Sequence, residues 1–150
     1  MKPMIHCSKA RVLIVLILAG CGASTPDGMI VVERDSPAIQ NGALAQSIGI
    51  ETHDGVFAPL LEPGCAMPCE TTFNFSTAVD DQVEISVSFF RGAASRASEN
   101  HALGIFVVTG IPAKPRGQPQ IAFTLLASDG GVFLSAEDLS GAEIRLARQP

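Results

Sequence analysis

The chain contains no tryptophan and no tyrosine, and only 17% of its residues are charged. Its ten basic residues are scattered, never more than two within three positions, so the concentrated positive face that nucleic-acid binding requires is missing. Fifteen acids against those ten bases give a formal charge of −5. That is weak self-repulsion, and together with 47% hydrophobic residues it excludes an intrinsically disordered chain. Long apolar runs are also scarce. The one extended aliphatic stretch, residues 12–18, has seven residues, whereas a helix that crosses a bilayer needs about 20. A length of 150 residues leaves room for one domain.

The aliphatic stretch follows Lys2, Lys9 and Arg11 and ends in Leu18, Ala19, Gly20 and Cys21. A positive opening, a short apolar core and small residues before a cut are the parts of an export signal. In this order they resemble the signal peptide and lipobox of bacterial lipoproteins, in which the Cys thiol is acylated and the chain is cleaved on its N-terminal side. The resemblance implies a signal helix over residues 1–20 and lipidation of Cys21. The other reading is an ordinary export signal in which Cys21 is incidental. Removing residues 1–20 leaves 130 residues with seven bases and fifteen acids, a charge of −8. Two or three acyl chains anchor a protein stably, whereas one binds only marginally. Gly22 stands where an Asp would resemble an inner-membrane retention signal. The resemblance therefore implies a cell-envelope protein, lipid-anchored and periplasm-facing, in the outer membrane rather than the inner.

Between Gly22 and Ser47 no apolar period persists. Residues 23–28 read as tether, residues 29–33 fit a short strand, and Asp35, Ser36, Pro37, Asn41 and Gly42 are chain breakers. Residues 21–46 are accordingly expected to be the lipidated Cys and a flexible linker, with the folded domain at 47–150. From Ser47 onward, short segments are punctuated every eight to fifteen residues, the all-β pattern. Ile85, Val87 and Phe89 alternate with Glu84, Ser86 and Ser88, which gives a strand one apolar and one polar face. Equivalent patterns predict strands at 48–52, 56–61, 71–76, 84–89, 103–109, 120–127, 132–136 and 142–147. His53, Asp54 and Gly55 mark a tight hairpin between the first two. About eight strands without a convincing helix predict an antiparallel β-sandwich.

Several groups of residues within this pattern resemble one family. They are Gly49, Ile50, Glu51 and Thr52; Phe75, Ser76, Thr77 and Ala78 with Asp80 and Gln82; Asn100, Leu103, Gly104 and Phe106; and Asp129, Gly130, Ser135, Ala136 and Asp138. The most specific piece is the proline-spaced stretch 110–121, with Pro112, Pro115, Pro119 and Ile121. In this order they resemble the substrate-binding β-sandwich subdomain of Hsp70 chaperones, the DnaK family, over residues 48–147. The resemblance implies a groove in which an extended or unfolded peptide is held by main-chain hydrogen bonds while one apolar side chain enters a pocket. Backbone bonds are indifferent to sequence, and filling an aliphatic pocket contributes about 1.5–3 kcal/mol per side chain. On the matching positions the pocket is Ile50, Val56, Phe75, Ile85, Val87 and Ile121. The main-chain partners are Thr52, Ser76 and Thr77, and His53 and Ala78 form the arch over the peptide. Inward residues of any sandwich are apolar, so only their register with the motifs argues for a groove. An apolar residue is usual at the arch in the family. His53 reads either as a charge switch over the groove or as an exposed turn histidine beside Asp54.

Departures from the family shape the expected activity. The chain has no room for the family's nucleotide-binding domain and no phosphate-cradling Gly-rich loop before the sandwich. The family's apolar interdomain linker is missing, and only three residues follow Ala147, where a helical lid would begin. The expectation is ATP-independent holding with fast release, because affinity differences appear mainly in off-rates. No nucleotide, cofactor or metal is expected. Ser135, His101 and Asp138 can be assembled into a triad on paper, but no nucleophile elbow frames them, so the chain does not read as an enzyme. The alternative function is a structural or adaptor lipoprotein that keeps the sandwich without binding peptide.

Cysteine use fits export. With Cys7 in the signal and Cys21 acylated, Cys65 and Cys69 remain as an even pair in an oxidising compartment, and a turn across Ala66, Met67 and Pro68 can bring them into disulfide range. A redox-active pair lacks a basic neighbour to lower a thiol pKa. A zinc site lacks further ligands, since the mature chain keeps only His53 and His101. The pair therefore reads as a structural staple.

Overall fold

The computed structural model describes residues 28–150. The signal segment 1–20 and Cys21 expected above lie outside them. Eleven strands follow in chain order: β1 (Ile30–Arg34), β2 (Ile39–Gln40), β3 (Ala43–Leu44), β4 (Ile48–Glu51), β5 (Phe57–Leu61), β6 (Cys69–Ser76), β7 (Glu84–Arg91), β8 (His101–Thr109), β9 (Gln120–Ser128), β10 (Gly131–Asp138) and β11 (Arg145–Arg148). Two short 3₁₀ turns, His53–Gly55 and Ala97–Glu99, are the only helical elements among the described residues. One sheet has the order β1-β10-β9-β6, the other β11-β8-β7-β4-β5, and every pairing is antiparallel. The all-β sandwich expected from the alternation is the observed architecture.

The sheets pack through the alternating positions that the sequence marks as apolar. Phe89, Phe106, Phe123, Ile48, Ile121, Leu125 and Leu134 are completely buried or nearly so. Phenylalanine fills this core without a polar atom that needs a partner. Phe73 stacks on Phe123 with ring centroids 5.5 Å apart, Phe89 meets Phe106 edge-on at 5.5 Å, and a Phe73–Phe89 contact at 6.4 Å joins the two sheets. Gly49 is required by close approach, because a Cβ there would run into the Ala58 carbonyl on the neighbouring strand.

Part of the span expected as linker is folded. β1 lies on the edge of the first sheet with Val32 buried, and β2 and β3 form a hairpin whose flanking Ala38 and own Leu44 enter the core. Its turn residues Asn41 and Gly42 have φ of 53° and 74°, the left-handed pair that a two-residue hairpin requires. The breakers in this span are thus turns between strands too short to show a period. Backbone hydrogen bonds close the hairpin onto connection 62–68: Leu44 N to Cys65 O at 2.9 Å, Gly64 N to Leu44 O at 2.7 Å and Met67 N to Gly42 O at 2.9 Å.

Two arginines tie the sheets together. Arg91 on β7 binds Glu33 on β1 through both carboxylate oxygens, at 3.2 and 3.1 Å, and donates to Gln46 Oε1 at 2.9 Å. Ser36 Oγ also donates to Glu33. Arg148 at the end of β11 donates to the Val32 carbonyl at 3.3 Å and to the Leu103 carbonyl, and its guanidinium lies 5.6 Å from the centre of the Phe106 ring.

Candidate functional site

Strand directions put four connections at one end of the sandwich: 52–56, 77–83, 110–119 and 139–144. Apolar side chains are exposed there. Of the five large exposed hydrophobics among the described residues, Val56, Val79, Val83 and Leu139 belong to these connections, and Ile105 alone lies on a strand. Below them, Phe75 on β6 is opposite Ile121 on β9, which is opposite Asp138 on β10. Opposite residues of an antiparallel ladder share a face, so this row points between the sheets.

Most of the expected pocket residues come together. Ile50, Ile85, Val87 and Ile121 are buried in the common core, with Phe75 half-buried against it. Val56 differs: it stands 49% exposed on the rim. It falls just before β5, where the turn has not yet handed the chain to the sheet. His53 and Ala78, the expected arch, are both exposed on facing connections. His53 Nδ1 sits 2.9 Å from the Asp54 carboxylate with 95% of its side chain in solvent, the geometry of a turn histidine. Asp54 and Gly55 adopt φ of 69° and 73° there, so the tight turn read from the sequence is present.

Of the expected main-chain partners, Thr52 and Thr77 already use main-chain groups within the protein, and Ser76 uses its hydroxyl. Thr52 sends its amide and hydroxyl to the Val56 carbonyl, at 2.8 and 3.1 Å. Ser76 Oγ donates to Pro119 O at 2.6 Å. Thr77 is buried, and its carbonyl and hydroxyl both accept from Gly117 N, at 3.0 and 3.2 Å. Connection 77–83 is thereby fastened to connection 110–119, with Asp80 Oδ1 accepting from Arg116 N at 2.9 Å and Asp81 N donating to Lys114 O at 3.0 Å. Gln82 organises the rest of the rim. Its Oε1 accepts from Ala78 N and Val79 N at 2.8 and 3.3 Å, and its Nε2 donates to Glu84 O at 2.7 Å.

Sequence reasoning did not assign site roles to Gln82, Val79, Val83, Leu139 or Asp138. The available signal was apolar Val79 and Val83 flanking the acidic pair Asp80 and Asp81 in a loop, where a solvated turn would be polar throughout. Asp138 needs the register to be seen, since only pairing with Ile121 turns it inward. Its Oδ1 accepts from Ser140 N at 2.7 Å and Ser140 Oγ at 2.5 Å, while Oδ2 is buried with no partner among the described residues. The Ser140 hydroxyl holds the carboxyl below its usual pKa against the opposing effect of burial, helped by the Ser140 amide and the charge of Lys114.

Of two clefts, the first lies away from this end and the second beside connections 110–119 and 139–144. One of about 400 Å³ is lined by residues 31–34, residues 101–103 and Arg148, and one of about 360 Å³ by Thr109, Gly110 and residues 143–145. On the opposite end, the sulfurs of Cys65 and Cys69 are at bonding distance with their Cα atoms 5.9 Å apart.

Comparison with known proteins bears on the same region. The family model described as Hsp70 protein matches residues 38–145. Two chaperone proteins DnaK, from the R1 and NRC-1 strains of Halobacterium salinarum, are each 38% identical over 118 residues, which is 78% of this chain and 19% of theirs. The chain thus spans about a fifth of the length of these relatives. With a sandwich of the expected strand content and a family match over most of its folded residues, the chain belongs to the Hsp70 family.

Proposed function

We propose that this protein is a lipid-anchored, ATP-independent binder of extended or unfolded polypeptide segments, a holdase module. One observation carries the reading: Ile50, Phe75, Ile85, Val87 and Ile121 lie in the core beneath the end of the sandwich whose rim exposes Val56, Val79 and Val83. Rim and core together supply apolar surface for a single side chain, and the loops supply peptide groups for main-chain pairing. Affinity arising this way is tolerant of sequence.

Anchoring rests on the lipobox resemblance, with Cys21 as the acylated residue and the periplasmic face of the outer membrane as the location. Cys65 and Cys69 form the disulfide in this reading, which is supported by the 5.9 Å between their Cα atoms. The alternative, an adaptor that keeps the sandwich without peptide binding, is favoured by the internal engagement of Thr52, Ser76 and Thr77.

Fluorescence anisotropy of a labelled Leu-rich peptide with the full chain in detergent separates the two. Val87→Phe fills the pocket from within, and Val79→Asp with Val83→Asp changes only exposed rim positions. Binding that both variants weaken about tenfold, some 1.4 kcal/mol, supports the groove. No binding by the parent selects the adaptor, and equal binding by all three overturns the groove. Intact mass of the purified chain reads the acyl group, and Cys21→Ser should move the protein into the soluble fraction.

A further inference from the structure

Two open sheets leave four edge strands, each a row of unpaired backbone groups that natural proteins blunt against unwanted pairing. Three of the four are blunted here. β5 carries Pro59 at its centre and is overlaid by connection 92–100, whose Ser95 carbonyl accepts from Phe57 N at 2.8 Å and whose Arg96 bridges Val56. β1 is five residues long, its pairing shifts register between Val31 and Glu33, and Arg148 occupies its Val32 carbonyl. β11 has four residues, with an arginine at each end.

β6 differs on every count. It runs for eight residues, pairs with β9 through eight consecutive partners without a shift, and contains no Pro, Lys or Arg. Among the described residues no strand pairs with its other side. Glu70, Thr72 and Asn74 on it are exposed, and Phe73 and Phe75 are only half-buried although they belong to the aromatic cluster around Phe123.

We propose that β6 is the surface through which two copies of this chain associate, pairing antiparallel about Thr72 so that two four-stranded sheets become one of eight strands. The strand is complementary to itself in that register. Thr72 faces its own copy, Thr71 faces Phe73, Glu70 faces Asn74 and Cys69 faces Phe75. Each pair joins two inward or two outward residues, so both sandwiches keep their cores on the same side. Glu70, the only charge in the strand, meets a neutral amide instead of the second Glu70. The exposed side of Phe73 gains cover from the partner's Thr71. Because each copy offers one such edge, the contact closes at two chains and does not propagate into a fibre. The two-fold axis is perpendicular to the joined sheet, which leaves the loop ends at opposite poles, neither obstructing the other.

The register gives the test. Cα atoms of directly opposed residues are about 4.5–5.5 Å apart, so Thr72→Cys should form a disulfide-linked dimer on mild oxidation. Asn74→Cys, displaced from its copy by four residues or about 13 Å, should not. The full chain in detergent should sediment as a dimer at about 100 µM, and Thr72→Lys with Asn74→Lys, both exposed positions, should return it to monomer. Far-ultraviolet circular dichroism of the lysine variant should match the parent, which separates loss of pairing from loss of fold. A monomeric parent at that concentration, or equal cross-linking through Thr72→Cys and Asn74→Cys, would overturn the proposal.

Discussion

The two ends of this sandwich are held by different chemistry. At the hairpin end, backbone bonds zip β2 and β3 onto connection 62–68, the Glu33–Arg91 pair crosses between sheets, and the Cys65 and Cys69 sulfurs meet. At the loop end, the rim is held mainly by neutral hydrogen bonds within and between connections, centred on Gln82, Thr77 and Gly117, with the Asp80 and Asp138 carboxylates accepting from Arg116 N and Ser140, and apolar side chains face solvent. Charged, part-buried bonds contribute more and tolerate less displacement than neutral ones on exposed loops. The comparison indicates a fixed base supporting an adjustable rim, the arrangement in which low local stability falls where binding needs it.

Substitutions can break that division or sharpen it. Phe89→Ala removes a fully buried ring that touches Phe73 and Phe106, and should cost about 3–5 kcal/mol. Both ends share this core, so peptide affinity and the denaturation midpoint should fall together. Arg91→Ala strands Glu33, whose side chain is 17% exposed, and should cost about 2 kcal/mol by denaturant titration while peptide affinity stays unchanged. A loss of peptide binding in that variant would show that the ends are not separable. Gln82→Ala should do the reverse: about 1 kcal/mol or less of stability, with peptide affinity changed several-fold in anisotropy. The smallest effect is acid sensitivity at Asp138. Its folded pKa lies below the unfolded value, so its contribution is complete above the unfolded pKa near 3.8 and is lost as pH falls through the folded pKa. The stability advantage of the parent over Asp138→Asn should therefore be constant near neutrality and shrink in thermal melts below about pH 4.

Much of the fold was legible because strand alternation is a local property. The expected span 84–89 became Glu84–Arg91, and 120–127 became Gln120–Ser128, since Ile85, Val87, Ile121, Phe123 and Leu125 announce an apolar face two residues at a time. The N-terminal strands were not legible for the opposite reason. β2 and β3 have two residues each, too few for any period, and Val32 is buried on a strand that pairs with β10, about a hundred positions away. At the site, the apolar core positions Ile50, Ile85, Val87 and Ile121 could be read from the alternation, whereas the partners of Thr77 and the inward turn of Asp138 depend on Gly117 and Ile121 across the fold. Arg148 is the plainest case. Nothing local distinguishes it from Arg145, yet it touches both sheets.

Incorporation of β1 into the first sheet also fixes a length. An anchor at Cys21 would be separated from Ile30 by nine residue steps, not by the full span to Ser47, and nine steps reach at most about 30 Å even when fully extended. That is on the order of the diameter of a domain of about a hundred residues. An anchor there would hold the loop end and its exposed apolar rim within a fixed, short distance of the bilayer.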